Sequence, residues 1–331
     1  MISSETILLT RTEVAGLLSI EEANAAVENS FRLYASGKAP APGLLGVHAP
    51  EGGFHIKAGI LNLGRNYFVS KTNANFPGNP QKNNLPTIQG VIIVSDADNG
   101  QLLALMDSIE ITIIRTGAAT AVAASYLSRI NAITITICGC GNQGKISLRA
   151  IMKVRALEKA FVYDIDEKRA KQFASELANE LNISIQPTNN LKEALRQSEI
   201  CVTCTTSKKQ FLNRDDLPPG IFIAAVGADS ENKQELDPAL LSNAKVVTDI
   251  TSQCAQIGEL HHALQAGMMK LTGVHAELGQ IIIGEKTGRM NDDEIIVFDS
   301  TGTALQDIAS AAIVYEKAIE KNIGIKLNFS K

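Results

Sequence analysis

The sequence is short of cysteine, of clustered charge and of long apolar runs, and each shortage excludes a class of protein. Five cysteines in 331 residues, Cys138, Cys140, Cys201, Cys204 and Cys254, are too few and too embedded in strand-like segments for a disulfide framework. Cys201 and Cys204 have the spacing of a metal or redox pair. They stand in "EICVTCTTS", however, which reads as a buried strand with no second Cys/His pair nearby, so core packing is the expected role. No Lys/Arg-rich run stands out, and 35 acidic against 31 basic side chains leave a formal charge of -4, so the footprint of a nucleic-acid binder is missing. No apolar run reaches the roughly eighteen residues of a membrane-spanning helix. The opening "MISSETILLTRTEVAGLL" lacks a basic region followed by an apolar one, and a cytoplasmic protein is expected. There is no internal repeat and no low-complexity tract.

What is present is apolar surface: 45% of the residues are hydrophobic, enough to build the cores of two domains or of one large α/β unit. Residues 12–37 place Val14, Leu17, Leu18, Ala25, Phe31 and Leu33 at helical intervals and end on Gly37, which predicts one amphipathic helix. "KAPAPGLLGVHAPEGG" reads as a loop. The short segments "FHIKAGIL", "YFVSKTN", "GVIIVSD" and "QLLALMD" predict an antiparallel or mixed sheet. The stretch "SIEITIIRTGAATAVAASYLSR" then predicts a helix rich in small residues. From Asn131 onward strand and helix alternate, which predicts a doubly wound parallel sheet with right-handed crossovers. A final helix in "TALQDIASAAIVYEKAIEKN" is placed to return to the N-terminal part, which would make the first domain discontinuous.

The segment "ITITICGCGNQGKISLRA" joins a strand to a helix through Gly139, Gly141 and Gly144, with Asn142 and Gln143 between them. In a dinucleotide fingerprint the first glycine allows the tight turn, the second lets the backbone approach the pyrophosphate, and the third lets helix and strand pack closely. The helix amides that follow are placed to bind phosphate. Asp164, beside Ile165, closes the next strand where a carboxylate accepts hydrogen bonds from the ribose hydroxyls and repels a 2′-phosphate. NAD is therefore the expected cofactor; Lys168 and Arg169 further along keep NADP as the less favoured alternative.

Several longer stretches are more specific: "SKTNANFPGNPQKNNLPT", "IIRTGAATAVAASYL", "CGCGNQG", "VGADSENKQELD", "VHAELGQIIIGEKTGR" and "FDSTGTALQDIA". Together they resemble the ornithine cyclodeaminase/mu-crystallin family over nearly the whole chain. The resemblance implies an α/β protein, with a Rossmann doubly wound parallel sheet over 120–299. It also implies a discontinuous α+β substrate and dimerisation domain over 1–119 and 300–331, with a homodimer formed through that domain. By the same resemblance Lys71 and Asp229 are catalytic candidates, the lysine anchoring a carboxylate or moving a proton and the aspartate handling the substrate amine. Arg115 would clamp the α-carboxylate. Ser300 and Thr301 match a segment near the nicotinamide. Thr116 beside Arg115, Thr205 and Thr206 at a strand end, and Gly227 in "VGAD" complete the cofactor-binding candidates. A loop lysine, a salt-bridged helix arginine and a turn aspartate are the plain readings of Lys71, Arg115 and Asp229.

One departure matters. Many relatives carry a basic residue directly after a Pro-Pro pair, where "PAPG" offers Gly43, and their Met-Pro-Ala stretch is replaced by "HIKAG". His55 and Lys57 share one face of a strand and enter as substrate-binding candidates, restoring the missing grip or holding a second acidic group; the alternative is that both point to solvent. His261, His262 and His275 are not spaced as ligands and no metal is expected. Three functions remain on this reading. The first is an NAD(H)-dependent imino acid reductase or amino acid dehydrogenase acting on a small amino or imino acid. The second is an ornithine cyclodeaminase using NAD catalytically. The third is a non-catalytic mu-crystallin-like ligand-binding protein.

Overall fold

A computed structural model describes residues 5–328. The chain forms two compact units, 1–115 with 303–331, and 116–302.

The first unit is built on seven strands. In chain order these are β1 (Thr6–Leu9), β2 (Gly43–Ala49), β3 (Gly52–Asn62), β4 (Asn66–Asn75), β5 (Ile88–Asp96), β6 (Leu102–Asp107) and a last strand, Ile325–Leu327. Their order across the sheet is Ile325–Leu327, β1, β6, β5, β4, β3, β2. The sheet is mixed, because β1 runs parallel to β6 while the other neighbours are antiparallel.

Two sequence expectations are corrected here. The helix predicted over 12–37 is two helices, Arg11–Ala15 and Ile20–Ala35. Ser19 interrupts the path in extended conformation and caps the second helix, its hydroxyl accepting the Glu22 amide while the Glu22 carboxylate accepts the Ser19 amide. The apolar periodicity runs through the break because Leu17 and Leu18 ahead of it are buried, as Val27 and Phe31 beyond it are. The Pro/Gly-rich loop contains β2, an edge strand with little burial, and edge positions are where such a composition is tolerated in a sheet.

Register decides which residues share a face. Residues directly opposed in neighbouring strands lie on one side of the sheet. A single row therefore reads Leu44, Lys57, Lys71, Ile92, Met106 and Leu9 across β2, β3, β4, β5, β6 and β1. The helix Ala304–Lys321 packs over this face and against Ile20–Ala35. It comes close enough that a Cβ on Gly59, two residues along β3 from Lys57, would stand 3.2 Å from Ile308 Cδ1.

The second unit is a parallel sheet. Its strands in chain order are β7 (Thr134–Cys138), β8 (Lys159–Tyr163), β9 (Ser184–Pro187), β10 (Ile200–Thr203), β11 (Lys208–Leu212), β12 (Phe222–Ala225), β13 (Gln234–Leu236), β14 (Lys245–Thr248), β15 (Ala276–Glu277) and β16 (Ile296–Asp299). The main sheet runs β15, β14, β16, β12, β10, β7, β8, β9, with β11 and β13 pairing separately. Every residue of β10, β12 and β16 is buried, as expected of strands covered on both faces. The winding reverses between β7 and β10, so the carboxyl ends of those two strands form the switch point at which such sheets bind ligands.

Candidate functional site

At that switch point β7 runs into Gly139, whose φ of +106° only glycine adopts readily. A side chain at Gly139 would also meet the Cys204 carbonyl at 2.9 Å. A Cβ on Gly144 would stand 2.1 Å from the Gly139 oxygen, so helix Asn142–Ile151 touches the strand it follows. Around Gly141 nothing lies within 4 Å, and no side chain caps the helix that begins after it. A tight turn, an open approach and close packing are the three properties a pyrophosphate cradle requires. Gln143 Oε1 adds a buried acceptor with no hydrogen-bond partner among the described residues. These residues fit a dinucleotide.

Asp164 closes β8 and is fixed there: Oδ2 accepts the Cys140 amide at 2.9 Å and Oδ1 the Asp166 amide at 3.0 Å. Each carboxylate oxygen keeps a further lone pair for a hydroxyl donor. Beside it Ile165 is 94% exposed, an apolar side chain left bare at the carboxyl edge of the sheet.

Thr205, Gly227 and Ser300 lie at the carboxyl ends of β10, β12 and β16, and buried carboxylates hold all three. Glu235 accepts from the Thr205 amide and hydroxyl at 2.6 and 2.7 Å and from the Gly227 amide at 3.1 Å. Glu259 accepts the amides of Glu235 and Leu236, and Asp299 accepts those of Glu259 and Leu260. Burial pushes all three carboxyl groups up, Asp299 to about 7. Asp249 accepts from the Ser300 hydroxyl and the Gly302 amide, while Gln253 donates to Thr301 Oγ1 at 2.6 Å. The loops that carry these candidates are thus tied to one another by acids and an amide that sequence reasoning did not single out. Thr206 is exposed and Thr116 is buried on the helix Ile109–Leu127. Asp229 follows β12, half-exposed, with Lys233 Nζ 2.6 Å from its Oδ1. Each of His261, His262 and His275 has a ring nitrogen against a backbone carbonyl.

The other group of candidates meets in the first unit. Lys71, on β4 and 2% exposed, donates to Asp307 Oδ1 at 2.7 Å and to Thr112 Oγ1 at 3.3 Å. Arg115 stands one helical turn beyond Thr112. Its Nε donates to the same Asp307 oxygen at 3.1 Å and its Nη1 to Gln306 Oε1 at 2.9 Å. Lys57 is 6% exposed and therefore does not point to solvent; it faces Lys71 across the β3–β4 register, as His55 faces Asn73. Gly43 pairs with Ala58 and so lies on the opposite face from Lys57.

Burial, then the Arg115 and Lys57 charges, bring Lys71 down to about 7 against the upward pull of Asp307. Burial alone would raise the Asp307 carboxyl, and Lys71 and Arg115 outweigh it and hold it below its ordinary value. Asp307 Oδ2 and Gln306 Nε2 are buried with no hydrogen-bond partner among the described residues. The cluster has the composition of a receptor for a carboxylate with an adjoining polar nitrogen: cations for the anion, and one acceptor and one donor still to be satisfied.

Asp307 and Gln306 were not among the sequence candidates. A signal for Asp307 was present, since it stands three residues after Ala304 and four before Ala311, on the buried stripe of the final helix. A carboxylate on an apolar stripe asks for a partner.

A doubly wound parallel sheet whose glycine turn fits a dinucleotide, joined in one chain to a unit holding a buried cluster of Lys71, Arg115 and Asp307, defines an α/β protein of the nucleotide-cofactor class. The chain belongs to the ornithine cyclodeaminase/mu-crystallin family, whose sequence profile matches residues 4–322. It is similar to an alanine dehydrogenase of Archaeoglobus fulgidus, 39% identical over 98% of this chain and 99% of that protein. Among solved structures it is similar to an archaeal alanine dehydrogenase dimer with bound NAD, at 40% identity and a TM-score of 0.94, covering 98% of this chain and 99% of that one. It is also similar to the Thermococcus litoralis Δ1-pyrroline-2-carboxylate reductase in complex with NADH and L-proline. That match has 32% identity and a TM-score of 0.92, covering 97% of this chain and all of that one, 100%.

Proposed function

We propose that this protein is an NAD(H)-dependent oxidoreductase that interconverts a small α-imino acid and the corresponding α-amino acid. The observation that carries the reading is the buried cluster of Lys57, Lys71 and Arg115 around Asp307. Relatives named for alanine dehydrogenation and pyrroline carboxylate reduction support it.

Bound nicotinamide supplies the hydride that is exchanged with the α-carbon. Arg115 presents a planar guanidinium to the α-carboxylate, and its hold on Gln306 and Asp307 fixes the orientation before substrate arrives. Lys71, near 7, carries or releases a proton at Nζ in neutral solution, which suits it to proton transfer at the substrate nitrogen. Asp307 Oδ2 is the acceptor for that nitrogen in its protonated form. Asp229 is a second candidate for the proton and is held by Lys233.

On the cofactor side the cradle is Gly139, Gly141 and Gly144 with the amides of Asn142 and Gln143. Asp164 would take the ribose hydroxyls in preference to a 2′-phosphate, and the exposed Ile165 beside it would offer an apolar surface to the adenine. Ser300 and Thr301, with Thr116, Thr205, Thr206 and Gly227, complete the assignment. The working form is a homodimer. No described helix is long and apolar enough to cross a membrane, all five cysteines are free thiols, and a reducing cytoplasm suits both facts.

The test is a pair of assays. NADH oxidation is followed with cyclic imines and with 2-oxo acids plus ammonium, beside ammonia and proline release from L-ornithine with catalytic NAD⁺. Consumption of NADH that tracks an imine, with ornithine inert, is the expected result. Proline and ammonia without net NADH change would replace this reading with cyclodeamination. Tight NADH binding with no turnover would leave a ligand-binding protein.

A further inference from the structure

We propose that Glu235 is a positioning residue of the dinucleotide site, its buried carboxylate fixing the loop after β10 and the loop after β12 relative to each other where the nicotinamide half of the cofactor binds; this rests on the oxidoreductase reading above. The first ground is where the two loops stand. In the sheet order β16, β12, β10, β7, β8, the glycine turn follows β7 and Asp164 closes β8. A dinucleotide with its pyrophosphate at that turn and one ribose at Asp164 extends its other nucleotide to the opposite side of β7, over the carboxyl ends of β10 and β12. Those ends lead into Thr205 and Gly227, and Asp229 follows Gly227 by two residues.

The second ground is the form of the clamp. Glu235 is 0% exposed; its Oε1 accepts the Thr205 amide and hydroxyl, and its Oε2 accepts the Gly227 amide. One carboxylate thus joins the ends of two neighbouring parallel strands. Glu235 is itself anchored. The Ser207 carbonyl accepts the amide of Gln234 beside it, and Glu259 accepts the amides of Glu235 and Leu236. The main chain leaves room for these acids: a Cβ on Gly227 would stand 2.4 Å from Glu235 Oε2, and one on Gly258 2.6 Å from Asp299 Oδ2. Glycine at both positions lets a carboxylate close on the backbone.

The third ground is what the arrangement costs. Burying a carboxylate is unfavourable even when hydrogen bonds satisfy it, and an apolar side chain of similar volume would pack there at less expense. The three groups on Glu235 all donate, and a carboxylate is the side chain that offers acceptors on both of its ends. Its role is therefore to hold those donors in place.

The experiment uses Glu235→Gln, which keeps the size and exchanges one oxygen for an amide nitrogen. With its carbonyl on Thr205 the new amide meets the Gly227 N–H donor to donor, so one arm of the clamp opens. NADH oxidation is followed with Δ1-pyrroline-2-carboxylate and with pyruvate plus ammonium, at a temperature where circular dichroism shows the variant folded. The Kd of NADH and the emission spectrum of bound NADH are read alongside. The expected result is a kcat lowered by about tenfold or more, with the NADH Kd and the substrate KM within about threefold of wild type and the emission of bound NADH shifted. A folded variant with wild-type kcat and emission, its loss confined to melting temperature, overturns the proposal. A loss of NADH affinity as large as the loss of kcat overturns it as well. Should Glu235→Gln not fold, Thr205→Val removes the hydroxyl from the clamp: a kcat lowered by more than the NADH Kd is raised upholds the proposal, and a wild-type kcat overturns it.

A wild type that reduces no imine removes the oxidoreductase reading, and the emission spectrum then decides the clamp, since it reports the surroundings of bound nicotinamide without turnover. A spectrum shifted by Glu235→Gln upholds the clamp, and one superimposable on the wild type's overturns it. Absence of any NADH binding overturns both.

Discussion

The Lys71 ammonium is held between opposing demands. Burial and two neighbouring cations favour its neutral form, while Asp307 at 2.7 Å favours the charged one, and the outcome is a group that titrates at about 7 instead of 10.5. The consequence for stability has a definite sign. Between pH 7 and 10.5 the unfolded chain holds a proton on Lys71 that the folded chain has released, so unfolding becomes less favourable as pH rises through that window. Below 7 both states are protonated and the contribution is flat at its least favourable level. Urea unfolding of the wild type and of Lys71→Met, measured over this range, is expected to give a stability difference that moves in favour of the wild type as pH rises. A difference independent of pH would show that Lys71 keeps its ordinary affinity for protons inside the fold.

Among the elements, the turn from β7 into helix Asn142–Ile151 separates folding from binding most cleanly. Gly144 has no room for a methyl group, since its Cβ would overlap the Gly139 carbonyl at 2.1 Å, and Gly144→Ala is expected to lower the melting temperature and weaken NADH binding together. Gly141 has open space and an extended backbone at φ -87° and ψ -166°, which alanine accepts. Gly141→Ala is therefore expected to keep the wild-type melting temperature and to weaken NADH binding by about tenfold or more, read by nucleotide fluorescence, because under the proposed assignment the methyl would occupy the path of the pyrophosphate. Retained affinity in Gly141→Ala would move the cofactor away from this loop. The same contrast shows what was legible at this scale: strand, turn and helix are contiguous, so glycine spacing carried the geometry. The break at Ser19 was not legible from periodicity, because Leu17 and Leu18 before it are buried as Val27 and Phe31 after it are, and only the Ser19–Glu22 capping pattern marked the stop.

For the whole molecule, the face of the first sheet turned away from Lys57 bears Leu45, Val47, Phe54, Ile60 and Val91, all exposed. Exposed large apolar side chains gathered on one face of a sheet mark a surface that a partner covers. A second copy is the proposed cover, so light scattering is expected to return about twice the 35.4 kDa chain mass. Val47→Glu, which plants a charge on that face, is expected to shift the mass toward the monomer. A wild-type monomer would contradict the dimer.

The amino-acid sequence by itself determined the parallel sheet, the strand–glycine turn–helix geometry, the closing carboxylate at Asp164 and the family, because each is written in residues near one another along the chain or in motifs long enough to be specific. It also marked Lys71 and Arg115. The tertiary structure alone decided which groups those two residues meet. Asp307 reaches Lys71 across 236 residues of chain, and Lys57 faces Lys71 through an antiparallel register in which a slip of one residue would turn it to the other side. Periodicity tells which side chains share a face of one strand, whereas the pairing of strands and the docking of the last helix settle which faces, and therefore which charges, come together.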